Sequence, residues 1–159
     1  MYIQTLEGQM IAIASDHAGY ELKSIIIEYL KEKGIDVSDL GTHDAIASVD
    51  YPDYGEIVGK AVSSDEAEKG IIICGTGIGI SLAANKVNGI RAAVCTNEYM
   101  ARLTRQDNNA NVLALGARVI GSGLALSIVD TFLNTDFAGD DTRHGSRVSK
   151  IMNIEKNNL

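Results

Sequence analysis

Gly70-Ile-Ile-Ile-Cys74-Gly75-Thr76-Gly77-Ile78-Gly79-Ile80-Ser81 is the stretch whose reading decides the fold. Three consecutive isoleucines without polar alternation predict a short strand buried on both faces, the pattern of a parallel sheet covered by helices. The run stops at a cysteine followed by three glycines in five residues. Open α/β sheets place their ligands at this carboxyl edge. Glycines there let backbone N–H groups approach an anion closely, because no Cβ intervenes. A thiol at the lip of such a loop sits in a field that favours thiolate. The segment predicts a nucleophile or base beside an anion hole.

Working outward, short apolar runs alternate with longer helical periodicities. Met10-Ile-Ala-Ile-Ala14 predicts a first strand, followed by the loop Ser15-Asp16-His17-Ala18-Gly19. Leu22, Ile25, Ile26, Tyr29 and Leu30 mark one face of a helix over 20–33, with Gly34 as its C-cap. Ile35–Leu40 reads as a partly exposed second strand, and Pro52 opens a helix running to Ser63. After the third strand at 70–74, a short helix over 79–87 rises from the glycine loop. A fourth strand over 90–95, a helix over 97–105 and a fifth strand over 112–115 follow. Helices over 122–133 and 146–156 complete the chain. Strands alternating with helices imply right-handed βαβ units. The expectation is an α/β, three-layer Rossmann-like fold with a five-stranded parallel sheet and a C-terminal helical extension, forming one domain over 1–159.

Composition narrows the function classes. The chain of 159 residues carries a net charge of −7, so it lacks the basic face that nonspecific nucleic-acid binding needs. A local arginine cluster still suits a small anion. Cys74 and Cys95 both end apolar runs and read as reduced thiols, which with the lack of a signal-like Met1–Glu7 segment or long apolar span points to a cytoplasmic protein without membrane contact.

Candidate chemistry falls at strand ends and loops. Asp16-His17 follows strand one, where an N-cap beside a surface histidine is the bland alternative. Cys74 alone reads as a small buried hydrophobe; beside Gly75, Gly77 and Gly79 the functional reading leads. A Cys-x5-Arg phosphatase loop is excluded, since the sixth residue after Cys74 is Ile80 and after Cys95 is Ala101. No Gly-Lys-Ser/Thr closes the run as a Walker loop requires. Thr104–Asn111 reads as a solvated loop before strand five. Arg143 and Arg147 are four apart with His144 between them, which suits forked grip on phosphate or a solvated helix start.

In this order, Ser15-Asp-His-Ala-Gly19, Asp50-Tyr-Pro-Asp53, the Cys74 loop with Ala84-Asn-Lys86, Gly89-Ile-Arg-Ala-Ala93, Asn111–Arg118 and Arg143-His-x-x-Arg147 resemble the type B ribose-5-phosphate isomerases. More broadly, they resemble the superfamily that these form with the galactose-6-phosphate and allose-6-phosphate isomerases. The likeness spans roughly residues 10–156. It implies an aldose–ketose isomerase of the pentose phosphate pathway, working through a cis-enediol with no metal and no cofactor. Cys74 then matches the carbon-acid base. The N–H groups of Gly75, Thr76, Gly77, Ile78 and Gly79 match the enediolate cradle, and Thr76 and Asp16 handle hydroxyl protons and ring opening. His17, Arg118, Arg143 and Arg147 match phosphate-binding positions, and Asn108 a substrate-binding asparagine. The resemblance also implies a homodimer or homotetramer with sites shared between subunits.

Two departures accompany the likeness. Asp107 stands where many type B enzymes carry the histidine that opens the furanose ring, and a carboxylate with a pKa of about 4 is a poor donor at neutral pH. Three accounts follow: burial raises the pKa of Asp107, Thr76 and Asp16 open the ring without it, or the preferred sugar differs. The turn Gly139-Asp-Asp-Thr142 is about two residues longer than the family's usual one, and brings two negative charges near the arginines. The alternatives to ribose 5-phosphate are a six-carbon sugar phosphate (allose or galactose 6-phosphate), or a catalytically silent sugar-phosphate-binding protein.

Overall fold

The computed structural model describes residues 10–158. Residues 1–9, and with them the segment read for a leader, lie outside the described residues. Five strands, β1 (Met10–Ser15), β2 (Asp36–Asp39), β3 (Lys69–Cys74), β4 (Ala92–Val94) and β5 (Val112–Gly116), form one sheet in the order β2-β1-β3-β5-β4. Every pairing is parallel, as the sequence pattern predicts. The helices are α1 (Tyr20–Glu32), α2 (Tyr51–Ser63), α3 (Ile78–Ala84), α4 (Glu98–Asn108), α5 (Ser122–Leu133) and α6 (Arg143–Asn157). Among the described residues no helix is long and apolar enough to cross a membrane.

The period-two geometry of strands divides the core into two layers. Ile11, Ile13, Ile71, Ile73, Leu113 and Leu115 point into one, against Ile26, Leu30, Ile128 and Phe132 of α1 and α5. Ala12, Ala14, Ile72, Cys74 and Ala114 point into the other, against Val58, Val62, Ile80 and Ala84 of α2 and α3. Small alanines on this second face let those helices sit close. Gly70 belongs to the same approach: a Cβ there would lie 2.5 Å from Val58 Cγ1.

The structure moves boundaries at α4 and α6, each for a local reason. The stretch read as a loop from Thr104 is helical as far as Asn108, so Asp107 and Asn108 stand on α4. Asn109, at φ 48°, terminates it in the left-handed conformation that asparagine tolerates. Helix α6 starts at Arg143, three residues before the predicted Ser146, because Thr142 Oγ1 accepts from the His144 and Gly145 N–H groups. The α1 stripe also differs. Ile25 is 41% exposed, whereas Lys23 is fully enclosed.

Cys95 sits in the first core layer, and burial pushes its thiol up from 9.0 to about 11. The folded chain therefore keeps a proton that the unfolded chain releases above pH 9. The thiol's contribution to stability is full below that pH and is lost as pH rises toward about 11. Urea midpoints measured across this window should fall less steeply for Cys95→Ala than for wild type.

Candidate active site

The carboxyl ends of β1, β3 and β5 gather one set of chemical groups. Asp16 follows β1 directly; its N–H donates to the Ile73 carbonyl at 3.2 Å, and its Oδ1 accepts the Gly19 N–H at 3.1 Å. Gly19 is required at this crossing, since a Cβ would stand 2.7 Å from Ile73 O. His17, next in line, accepts the Val49 N–H on Nδ1 at 3.2 Å. In the neutral ring that bond leaves the proton on Nε2.

Cys74 ends β3 nearly enclosed, and its Sγ accepts the Gly77 N–H at 3.1 Å. This contact fixes the sulfur against the glycine loop. Gly77 makes this turn at φ 78°, a conformation costly to any residue with a Cβ. The Ile78 N–H donates to Thr76 Oγ1 at 3.2 Å. Two N–H groups of the run thus serve the sulfur and the hydroxyl. Arg118 follows β5; its N–H donates to the Gly75 carbonyl, and its guanidinium lies over Gly75, where an added Cβ would be 2.9 Å from Nη1. Tyr51, which periodicity does not single out, packs its ring on Gly79 at 2.7 Å from the corresponding Cβ position.

The remaining candidates lie elsewhere. Asp107 and Asn108 close α4, which returns to the amino ends of the strands. Ala138 N–H donates to Gln106 O there, bringing the chain to α6. His144 Nδ1 lies 3.6 Å from Asp107 Oδ1, and Arg143 Nε donates to His144 Nε2 at 3.4 Å. Arg147 stands one turn further along α6. The two groups are separated by β5, whose five residues span about 16 Å at 3.3 Å per residue. Asp16, His17, Cys74, Gly75, Thr76, Gly77, Ile78, Gly79 and Arg118 are brought together at the carboxyl edge. Asp107, Asn108, Arg143 and Arg147 form a second cluster at the amino edge. Among the described residues no group of acidic, histidine or cysteine side chains is arranged to hold a metal ion.

Sequence reasoning also missed Lys23. Its ammonium donates to Asp39 Oδ1 at 2.5 Å and to the Thr42 carbonyl at 2.7 Å. This buried cation fixes the root of the segment that delivers Val49 to His17. A helix-periodicity scan reads a lysine as surface, although long stems often cross apolar ground. Lys23→Met should cost about 2–3 kcal/mol, by leaving the Thr42 carbonyl without its ammonium donor and Asp39 with the Gly41 N–H but no cation. Urea unfolding measures it, and hydrogen exchange should show the loss concentrated at residues 39–42.

The ribose/galactose isomerase family model matches residues 11–151 of the chain. Ribose-5-phosphate isomerase B of Escherichia coli (strain K12) is 49% identical over 146 residues, 92% of this chain and 96% of that protein. The structure of Clostridium thermocellum ribose-5-phosphate isomerase B superimposes with a TM-score of 0.92 at 58% identity, covering 95% of this chain and all of that one. The Mycoplasma genitalium ribose-5-phosphate isomerase B structure, which contains bound ribulose 5-phosphate, gives 0.88 at 45% identity, covering 94% and 97%.

Proposed function

The chain belongs to the ribose/galactose isomerase family, and from that membership we propose that it interconverts ribose 5-phosphate and ribulose 5-phosphate through a cis-enediol. The observation that carries this reading is the enclosed Cys74 sulfur facing the Gly77 N–H at a sheet's carboxyl edge. From aldose to ketose, the Cys74 thiolate takes the proton from C2 and returns it to C1. The hydroxyl proton passes from O2 to O1 by way of Thr76 or Asp16. The N–H groups of Gly75, Thr76 and Gly79, which the sulfur and the hydroxyl leave to the substrate, are the donors for the enediolate oxygen, a kind of contact worth about 3–4 kcal/mol each when well placed. His17 Nε2–H, Arg118, Arg143 and Arg147 are the phosphate ligands, and Asn108 holds a sugar hydroxyl.

One chain does not bring these groups within reach of one substrate. A ribose 5-phosphate chain extends about 9 Å at bond lengths near 1.5 Å, less than the strand length between the two clusters. The reading therefore includes a two-fold dimer, in which the carboxyl-edge cluster of one copy meets the amino-edge cluster of the other. A groove of about 710 Å3 supports it: Ile90, Arg91, Ile151 and Ile154 line it, and it runs to Asn108 at the second cluster. Ile151 and Ile154 are exposed apolar side chains of that groove. A second copy seated there covers them and completes both sites.

Cys74→Ala should reduce isomerisation of ribose 5-phosphate by at least about a thousandfold, the scale lost with an essential base. Wild-type rates in that variant would remove Cys74 from the mechanism. Arg143→Ala should raise KM strongly. When the two variants are unfolded, mixed in equal amounts and refolded, about a quarter of wild-type activity should return at substrate concentrations where neither variant alone turns over measurably, because half the chains form mixed dimers with one intact site each. No recovery would count against sites shared between copies.

A further inference from the structure

The Asp107–His144 pair plays no part in the steps above. Asp107 Oδ1 is buried and has no hydrogen-bond partner among the described residues. Facing it at 3.6 Å is Nδ1 of His144, whose side chain is 14% exposed. The ring's other nitrogen accepts from Arg143 Nε, so in the neutral ring the proton is on Nδ1, toward the carboxylate. We propose that His144, held by Asp107, is the acid that opens the furanose ring in this chain. The inference rests on the isomerase reading and on sites shared between two copies.

The chemistry needs such a group. Ribose 5-phosphate closes a ring between C1 and O4, and opening it requires a proton at O4. Asp107 is turned to the imidazole instead, its Oδ1 3.6 Å from His144 Nδ1. Histidine is the side chain suited to that exchange. When substrate phosphate draws the Arg143 guanidinium to itself, Nε2 is released. The imidazole then lies between the Asp107 carboxylate and the substrate phosphate, and in its doubly protonated form it is a donor on both nitrogens. In the step, the C1–O4 bond breaks with its electron pair going to O4, and His144 Nε2 gives O4 its proton. The anomeric hydroxyl loses its proton to Asp16 of the facing cluster, and its electrons form the C1 carbonyl. The balance is one proton given and one taken. Asp107 is a positioning residue, acting through the imidazole.

Ribulose 5-phosphate supplies the test, because its O5 is esterified and no five-membered ring closes on its C2 carbonyl. For wild type, His144→Gln, Asp107→Asn and Asp107→Glu, isomerisation of ribose 5-phosphate is measured beside solvent deuterium exchange at C1 of ribulose 5-phosphate, which needs the enediol but no ring step. For His144→Gln the loss of kcat/KM on ribose 5-phosphate should be about a hundredfold, the scale of a general acid. That loss should exceed the loss of C1 exchange by at least about tenfold. Asp107→Asn should show the same skew at smaller size, and Asp107→Glu, which keeps the charge, should recover most of it. Equal losses of isomerisation and exchange, or none, would overturn the assignment of His144. A wild-type protein inactive on both pentose phosphates would instead overturn the isomerase reading. The exchange rate of each variant also reports that it has folded.

Discussion

The sheet depends on the enclosure of β3. Hydrogen-bonded to β1 on one side and β5 on the other, and buried along its whole length, it has no face or edge open to solvent. A strand in that position must be apolar and must satisfy its backbone within the sheet. Polar chemistry is therefore displaced to its ends. At the carboxyl end, the same enclosure shapes the loop. Gly19 presses on Ile73, and Gly77 lies 2.9 Å, at its would-be Cβ, from the Leu115 carbonyl carbon, so the neighbouring strands hold the turn from below. Cys74 alternates into the alanine-lined layer, and its sulfur reaches the Gly77 N–H without leaving the core.

This explains which parts of the molecule were legible. A buried parallel strand is written in uninterrupted β-branched residues, and the glycine run after it has few other readings. The five strands, their parallel sense and the 122–133 helix follow from such local patterns. Strand order follows from no local pattern, since it is set by which crossover packs on which face. Lys23 was illegible because its partners, Asp39 and Thr42, are long-range and include a backbone carbonyl. Thr104–Asn108 looked like loop because its polar residues have no packing requirement. Here the tertiary anchor of Arg105, whose guanidinium donates to the Ala110 and Thr135 carbonyls, carries the helix onward. Burial lowers that guanidinium's pKa, although Asp136 and Glu68 offset part of the effect. The candidate residues themselves were all named by motif and resemblance, but not their division between two sheet edges.

That division has an electrostatic side. The chain is acidic overall, with a net charge of −7, and its cationic candidates for an anion are apportioned one edge from the other: Arg118 with His17, Arg143 with Arg147. Neither cluster alone concentrates much positive charge. In the two-fold dimer proposed above they would, and a phosphate between them would meet guanidinium groups from both copies. Acidic Asp140 and Asp141 precede the second cluster and weaken its field in the isolated chain. An anion site that is weak in each copy and strong in the pair ties ligand affinity to assembly.

The same juxtaposition bears on how a carboxylate stands at position 107. An imidazole on α4 would carry its own proton, whereas a carboxylate there has to work through a neighbour. Helix α6 supplies that neighbour because Thr142 starts it early enough to place His144 within its first turn, and the bond from Ala138 to Gln106 holds the approach against α4. The 139–142 turn sets that approach: Gly139 turns at φ 105° and its carbonyl accepts from the Thr142 hydroxyl that caps α6. Position 107, the turn and the start of α6 are thus one connected arrangement, in which the residue that departs from the resemblance and the loop that departs from it meet at the same imidazole.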